Sequence, residues 1–376
     1  MNLDFTEDQK MLRTMARDFL ATECPKSLIR ELEESALGYS PEIWKKMAEL
    51  GWQGIMIPEE YEGTGMTFFD LALVIEEMGR NILPGPFFST VLCASTILEA
   101  GTEEQKREFL PKVAAGEMIL TLALTEPSAS WKPEHISVRA AVSGEDYVIN
   151  GTKLFVPDAH VANYLLVVAR TQEGAKPEES MTIFLVDAKS PGIQYEPQLT
   201  MGLDNKCEVV FENVAVPKEN ILGKLNQGWT IVQSTLMKAA AAKVAEMSGG
   251  CQASLEMTTG YVKEREAYGR PIGGFQAIQH YMADMWGYTD RTKSIAWEVN
   301  WKVSEGMATA LDVAIAKAWA NEAYKWVTER AVQCHGAIGT TRDHDMGLYY
   351  RRAKVAELDY GDTDYQKEIV ARELGL

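Results

Sequence analysis

Leu358-Asp359-Tyr360-Gly361-Asp362-Thr363-Asp364-Tyr365-Gln366, followed by Ile369-Val370-Ala371-Arg372-Glu373, sets a tyrosine and a glycine between two aspartates near the end of the chain. An unperturbed phenol near pKa ~10 is almost wholly protonated at pH 7, so Tyr360 is a poor proton acceptor. Asp359 and Asp362 flank it. Either suits proton transfer, which demands an approach of ~2.6–3.2 Å, or the ordinary surface and capping work of such acids.

The rest of the chain bounds what this stretch can belong to. Its 376 residues exceed what a single core normally supports, so two or three domains are expected. Hydrophobic residues at 46% and charged residues at 24% are ordinary for a globular protein. A net charge of -17 argues against nucleic acid and anionic membranes as partners, because phosphate surfaces need basic ones. Cys24, Cys93, Cys207, Cys251 and Cys334 form no C-x-x-C pair and show no zinc-ligand spacing with histidine, which reads as a reduced cytoplasmic chain without a metal site. The acidic start, Met1-Asn2-Leu3-Asp4-Phe5-Thr6-Glu7-Asp8, lacks the apolar core of a signal peptide. No uncharged apolar run reaches ~18 residues, so membrane insertion is not expected.

Periodicity divides the chain in three. Residues 1–118 read as a helical domain. Thr6-Glu7-Asp8-Gln9 is a capping box before Met11, Leu12, Met15, Phe19 and Leu20 at helical spacing, and Thr102-Glu103-Glu104-Gln105 repeats it. Ser40 with Pro41 opens a second helix that stops at Gly51. Residues 119–222 read as a small antiparallel barrel or sandwich with strands at 138–142, 147–149, 153–156, 164–169, 181–186 and 209–211. Asn150-Gly151 is expected to turn the chain between two of them. Residues 223–376 read as a bundle of four or five long helices, rich in good helix formers at 239–242, 311–320 and 323–331.

Laid back without gaps from Ala371-Arg372-Glu373, the closing stretch resembles the C-terminal signature of the acyl-CoA dehydrogenase family, Y-E-G-T-x-x-I-Q-R-x-I-x-A-R. Gly361 meets the family glycine and Tyr360 stands where the glutamate base belongs. Other stretches resemble the family in its own order. Leu122-Ala123-Leu124-Thr125-Glu126-Pro127 is similar to A-x-T-E-P, and Asn150-Gly151-x-Lys153 to the hairpin that follows it. Glu264-Arg265-x-x-Tyr268-Gly269-x-Pro271-Ile272 with Phe275-Gln276-Ala277 resembles E-R-x-x-F-G-x-P-I and its Q-A. Gln333-Cys334-His335-Gly336-Ala337-Ile338-Gly339 resembles Q-x-x-G-G-x-G. The order helical domain, β domain, helical bundle resembles that family over essentially the whole chain.

The resemblance implies FAD at a subunit interface. Arg265, Tyr268, Gln276, Gln333, Gly336, Gly339 and Asp362 would approach the ADP part, and Leu124, Thr125 and Phe155 the isoalloxazine. A guanidinium makes charge-assisted bonds to a pyrophosphate, and a glycine turn lets backbone N–H groups come close. On the ring side this chain departs from the family. Ser128-Ala129-Ser130-Trp131 stands for G-x-G-S, and Phe155-Val156-Pro157-Asp158 for W-I-T-N, where proline offers neither a hydroxyl nor an N–H. Members that carry the base on the first bundle helix have it where this chain has Ala239, with Ala240 in place of the usual arginine, so both family positions for the carboxylate are empty. Asp362 and Asp359 are the substitute candidates.

Three activities are compatible with the resemblance. The first is an FAD-dependent acyl-CoA dehydrogenase, or one subunit of a heteromeric one in which a homologous chain supplies the glutamate, acting on a bulky or cyclic acyl-CoA. It would assemble with that homologue or with itself and pass electrons to an electron-transfer flavoprotein. The second is a redox-neutral acyl-CoA flavoprotein of the desulfinase type. The third is a non-catalytic scaffold or partner subunit.

Overall fold

The structure, a computed structural model, describes residues 4–376. Helices α1 (Glu7–Glu23), α2 (Lys26–Glu34), α3 (Pro41–Glu49), α4 (Phe68–Asn81), α5 (Phe87–Ala100) and α6 (Glu103–Ala114) come first. Strands β1 (Leu120–Ala123), β2 (Arg139–Ser143), β3 (Asp146–Pro157), β4 (Tyr164–Arg170), β5 (Met181–Asp187), β6 (Ile193–Gln198), β7 (Lys206–Val216) and β8 (Ile221–Leu222) follow. The 37-residue α7 (Gly228–Glu264) then leads through a hairpin of β9 (Glu266–Ala267) and β10 (Arg270–Pro271) to α8 (Gln276–Ser304), α9 (Ala310–His335), α10 (Met346–Leu358) and α11 (Thr363–Glu373). The chain therefore runs helical, β, helical, as the change of period requires.

Starts of helices are chemically marked. Thr6, Thr67, Thr102 and Thr309 each close a capping box on Gln9, Asp70, Gln105 and Asp312, and Ser40 accepts the Ile43 N–H. The helix expected second in the chain is the third, because α2 precedes it.

By compactness the chain forms two units that do not follow chain order. One comprises Glu31–Met66 and Pro84–Leu236, the other the residues up to Arg30, Thr67–Leu83 and Met237–Leu376. In the first, the sheet runs in the order β6-β7-β3-β2-β4-β5-β8, with β1 beside β4. Most pairs are antiparallel, but β1 and β2 both run parallel to β4. The path ends at β6 and β8 and is not a closed barrel, which leaves the sandwich-like alternative. One face of β4 and β5 (Leu166, Val168, Ile183, Leu185) packs into a core with Ile97, Phe109, Leu110 and Val113. Such face-to-helix burial is the main source of stability here.

The Asn150-Gly151 turn is not formed. Residues 146–157 are one strand, with bulges between Ile149 and Gly151 and between Lys153 and Val156. The turn lies at the preceding Gly144, whose φ is +67°. Gly151 serves a bulge instead, the other common use of a strand glycine.

In the second unit α9 packs against α8, α10 and α11, and α4 against α1 and α8. Two glycines let α4 and α7 cross closely. A Cβ on Gly249 would stand 1.8 Å from the Glu76 carbonyl oxygen, and one on Gly79 2.0 Å from that of Glu246. Buried Glu76 and Glu77 on α4 are answered by Arg13, Arg17 and Trp297 Nε1, the last at 2.8 Å. All five cysteines are buried and unbridged. Among the described residues no helix is long and apolar enough to cross a membrane, and no cluster of metal-ligating side chains occurs.

Candidate active site

The closing stretch forms a tight bend between two helices. Asp359 ends α10, Tyr360 takes a left-handed φ of +57° and Gly361 one of +101°. Gly361 is required there, since a Cβ would lie 2.5 Å from both Tyr365 Cδ1 and Gln366 Nε2. Gln366 Nε2 donates to the Tyr360 carbonyl at 3.0 Å and fixes the bend from the far side. The two aspartates are placed differently. Asp362 caps α11, its Oδ1 accepting the Tyr365 N–H at 2.8 Å. Asp359 Oδ2 lies 3.6 Å from Lys243 Nζ on α7, which also donates to Glu246 at 2.6 Å and stands 5.9 Å from the centre of the Tyr360 ring.

Lys243 is thus the cation of this corner, and sequence reading had no signal for it beyond its distance of one helical turn from Ala239 and Ala240. Both of those alanines are buried, and neither they nor their neighbours Ala241 and Ala242 offer a carboxylate.

The isoalloxazine-side candidates Leu124 and Thr125, just past β1, and Phe155, in β3, lie in the sheet unit. Thr125 spends its hydroxyl on the Leu154 carbonyl (2.5 Å), while Leu154 returns its N–H to the Thr125 carbonyl (2.8 Å). Phe155, 41% exposed and in a left-handed bulge at φ +55°, gives its N–H to Gln198 Oε1 at 2.9 Å. Beneath them is an ion pair that sequence reading passed over. Lys153 Nζ, fully buried, donates to Glu126 Oε1 at 2.7 Å and to the Leu124 carbonyl at 3.0 Å. Glu126 also accepts the N–H groups of Ser137 and Val138. Burial works to raise the Glu126 carboxyl, but Lys153 and the Ser137 and Val138 donors outweigh it and hold the group below its ordinary 4.5. Burial pushes the Lys153 ammonium down to about 8 against the pull of Glu126.

The ADP-side candidates lie in the helical unit. Arg265 follows α7, Tyr268 tips the β9–β10 hairpin at φ +53° and 96% exposure, and Gln276 opens α8. Gln333 lies in the last turn of α9, and Gly336–Thr340 form a single tight turn in which Gly336 has φ +66° and Gly339 is buried. Tyr261 links the two stretches: its ring stacks on His335 at 4.3 Å and its hydroxyl donates to the His335 carbonyl at 3.3 Å. Arg265, Gln276 and Gln333 are exposed, and among the described residues their side chains make no hydrogen bond or ion pair within the chain.

Comparison with known proteins covers the whole length. Residues 6–117 match the acyl-CoA dehydrogenase N-terminal domain, 121–214 the middle domain and 226–375 the C-terminal domain. A probable acyl-CoA dehydrogenase of Bacillus subtilis, YngJ, is 32% identical, with 100% of each chain covered. A glutaryl-coenzyme A dehydrogenase in complex with glutaryl-CoA superposes with a TM-score of 0.95 at 30% identity, over 100% of this chain and 97% of that one. A chain of the ChsE4-ChsE5 complex of Mycobacterium tuberculosis superposes with a TM-score of 0.91 at 27% identity, over 100% and 99%. Members of the family these share are FAD flavoproteins and oxidoreductases. The chain belongs to the acyl-CoA dehydrogenase family.

Proposed function

We propose that this chain is one subunit of a heteromeric FAD-dependent acyl-CoA dehydrogenase, and that a homologous chain supplies the carboxylate base. The observation that carries the reading is the bend at 359–362. Its backbone frame is intact, yet it offers a phenol where a carboxylate is needed, while Asp362 is committed to capping α11 and Asp359 is paired with Lys243.

FAD, when bound, accepts the β-hydrogen of the thioester as hydride. The residues of this chain fit one end of that cofactor and not the other. Arg265, Gln276 and Gln333 hold out polar side chains that nothing among the described residues satisfies, beside a glycine turn, which suits a pyrophosphate and its ribose. On the ring side Thr125 and Phe155 have given their donors to Leu154 and Gln198, and Pro157 has none. The contribution derived for this chain is therefore binding: Arg265, Gln276 and Gln333 would hold the ADP part of the cofactor, and the homologue would supply the groups for its ring. The bulky or cyclic acyl group follows from the resemblance to heteromeric members, and an electron-transfer flavoprotein completes the proposal as acceptor.

Asp359 keeps a second reading open. It is the carboxylate next to the base position, and a swing away from Lys243 would free it for a chain that acts alone. Anaerobic mixing with saturated acyl-CoA separates these. The isolated chain is expected to leave any flavin absorbance near ~450 nm unchanged, and addition of a glutamate-bearing homologue to bleach it. Bleaching by the chain alone, lost in Asp359→Asn, would establish Asp359 as the base. A purified complex that never carries flavin points to the scaffold instead, and a thioester converted without any change in flavin to the redox-neutral type.

A further inference from the structure

Lys317 on α9 has no exposed surface, a rare place for an ammonium. Its Nζ donates to Asn321 Oδ1 at 2.6 Å and reaches three backbone carbonyls: Ala356 at 3.0 Å, Glu357 at 3.2 Å and Gly361 at 3.2 Å. Ala356 and Glu357 lie in the last turn of α10, where carbonyls lack helical partners and carry the negative end of the helix dipole. Gly361 lies beyond the bend. One side chain therefore ties the end of a helix to the far side of the turn that contains Asp359 and Tyr360. Four acceptors for three N–H groups leave the ammonium no bond to spare.

We propose that Lys317 is a positioning residue: by fastening the Gly361 carbonyl to the end of α10, it holds Tyr360 in its left-handed conformation with the ring beside Lys243. A tyrosine adopts that backbone only when its surroundings impose it, because the Cβ crowds the following carbonyl at a φ near +57°. Gln366 braces the bend from α11, and Lys317 braces it from α9. Burial pushes the Lys317 ammonium down to about 7; Asp359, Glu357 and Asp362 pull it back up, and Lys243 opposes it. The clamp rests on the proposed function only for what the bend does in catalysis. Its geometry stands apart from any turnover.

Hydrogen exchange on the full-length protein tests it. In Lys317→Met the amides of residues 359–366 are expected to lose protection by about tenfold or more, while α8 and the second half of α9 keep theirs. A second measurement separates positioning from a general structural role. Tyr360→Gly removes the backbone strain, so its effect on the thermal midpoint should be more favourable by about 2 °C in the wild type than in Lys317→Met, where the strain is already released. Should Lys317→Met fail to fold, Asn321→Leu keeps the lysine, removes its side-chain partner and should show the same local loss on a smaller scale. Protection lost uniformly through the bundle, an unchanged bend in Asn321→Leu, or Tyr360→Gly acting equally in both backgrounds overturns the proposal. None of these readouts involves turnover, so an inactive chain leaves it standing.

Discussion

Tyr360 and Arg265 show how one side chain is judged by what its neighbours leave it to do. Tyr360 is held in a conformation that costs about 1–2 kcal/mol, by a glycine that nothing else could replace and by Gln366 behind it. Arg265 is the opposite case. It is exposed and its side chain makes no hydrogen bond or ion pair among the described residues, so the fold does not depend on that side chain. Arg265→Ala should therefore leave the urea unfolding midpoint where it is. It should weaken FAD binding about ten- to a hundredfold, the loss of one charge-assisted phosphate bond of roughly 1.5–3 kcal/mol. Flavin content after dialysis reads this directly, and wild-type content in the variant would remove Arg265 from the ADP site. Residues of this kind were legible in the sequence because their motif repeats a family spacing. The burial of Lys153, Lys243 and Lys317 was not, although Lys153 stands in one of those motifs, since lysine in a helix or strand ordinarily reads as a solvated face.

At the scale of elements, two local features decide stability. Glu126 and Lys153 fasten the end of β1 to β3 in the dry interior, where removing one partner strands the other as a buried charge. Glu126→Gln should cost about 3–5 kcal/mol at pH 7 by urea unfolding. The Glu126 carboxyl is held below its unfolded 4.5, so its contribution is complete above pH 4.5 and is lost as pH falls through the folded value. The gap between wild type and variant should narrow in that acid window. Gly249 gives a test of sign. Helix propensity alone favours Gly249→Ala by about 0.5–1 kcal/mol. The added methyl would meet the Glu76 carbonyl oxygen at 1.8 Å, so overpacking of about 1–3 kcal/mol should win. A variant more stable than wild type would show that α4 and α7 can part without cost. Sequence patterns recovered the helices opened at Thr6, Ser40 and Thr102 and the strands β2, β3, β4, β5 and β7 in whole or in part, but not β1, β6 and β8. Asn150-Gly151 reads as a hairpin turn in isolation, but β7 extends past it and enforces a bulge in one long strand. The boxes at Thr67 and Thr309 escaped notice because aspartate rather than glutamine answers them.

For the whole molecule, assembly follows from what this chain alone does not supply. Trp286 on α8 is 62% exposed and Tyr268 at the hairpin tip 96%, and both are aromatics of the kind enriched at subunit contacts. The protein should form a dimer or tetramer, with two copies each of this chain and a homologue as the favoured assembly. A monomer at micromolar concentration by light scattering would count against it. In such an assembly the base belongs to the other chain, and loss of general base catalysis slows the isolated one by ~10²–10⁴. Tyr360→Glu puts a carboxylate back into a backbone frame that Gly361, Gln366 and Lys317 already hold in place. If the missing base is the whole deficiency, flavin reduction by a saturated acyl-CoA should rise in this variant by a good part of that factor. If ring-side donors are also missing, as Phe155 and Pro157 indicate, the variant alone stays silent and gains activity only beside a partner that seats the ring. Anaerobic stopped-flow on Tyr360→Glu with and without the homologue distinguishes the two. The second outcome is expected, because an installed base has nothing to work against until a flavin ring is held opposite it.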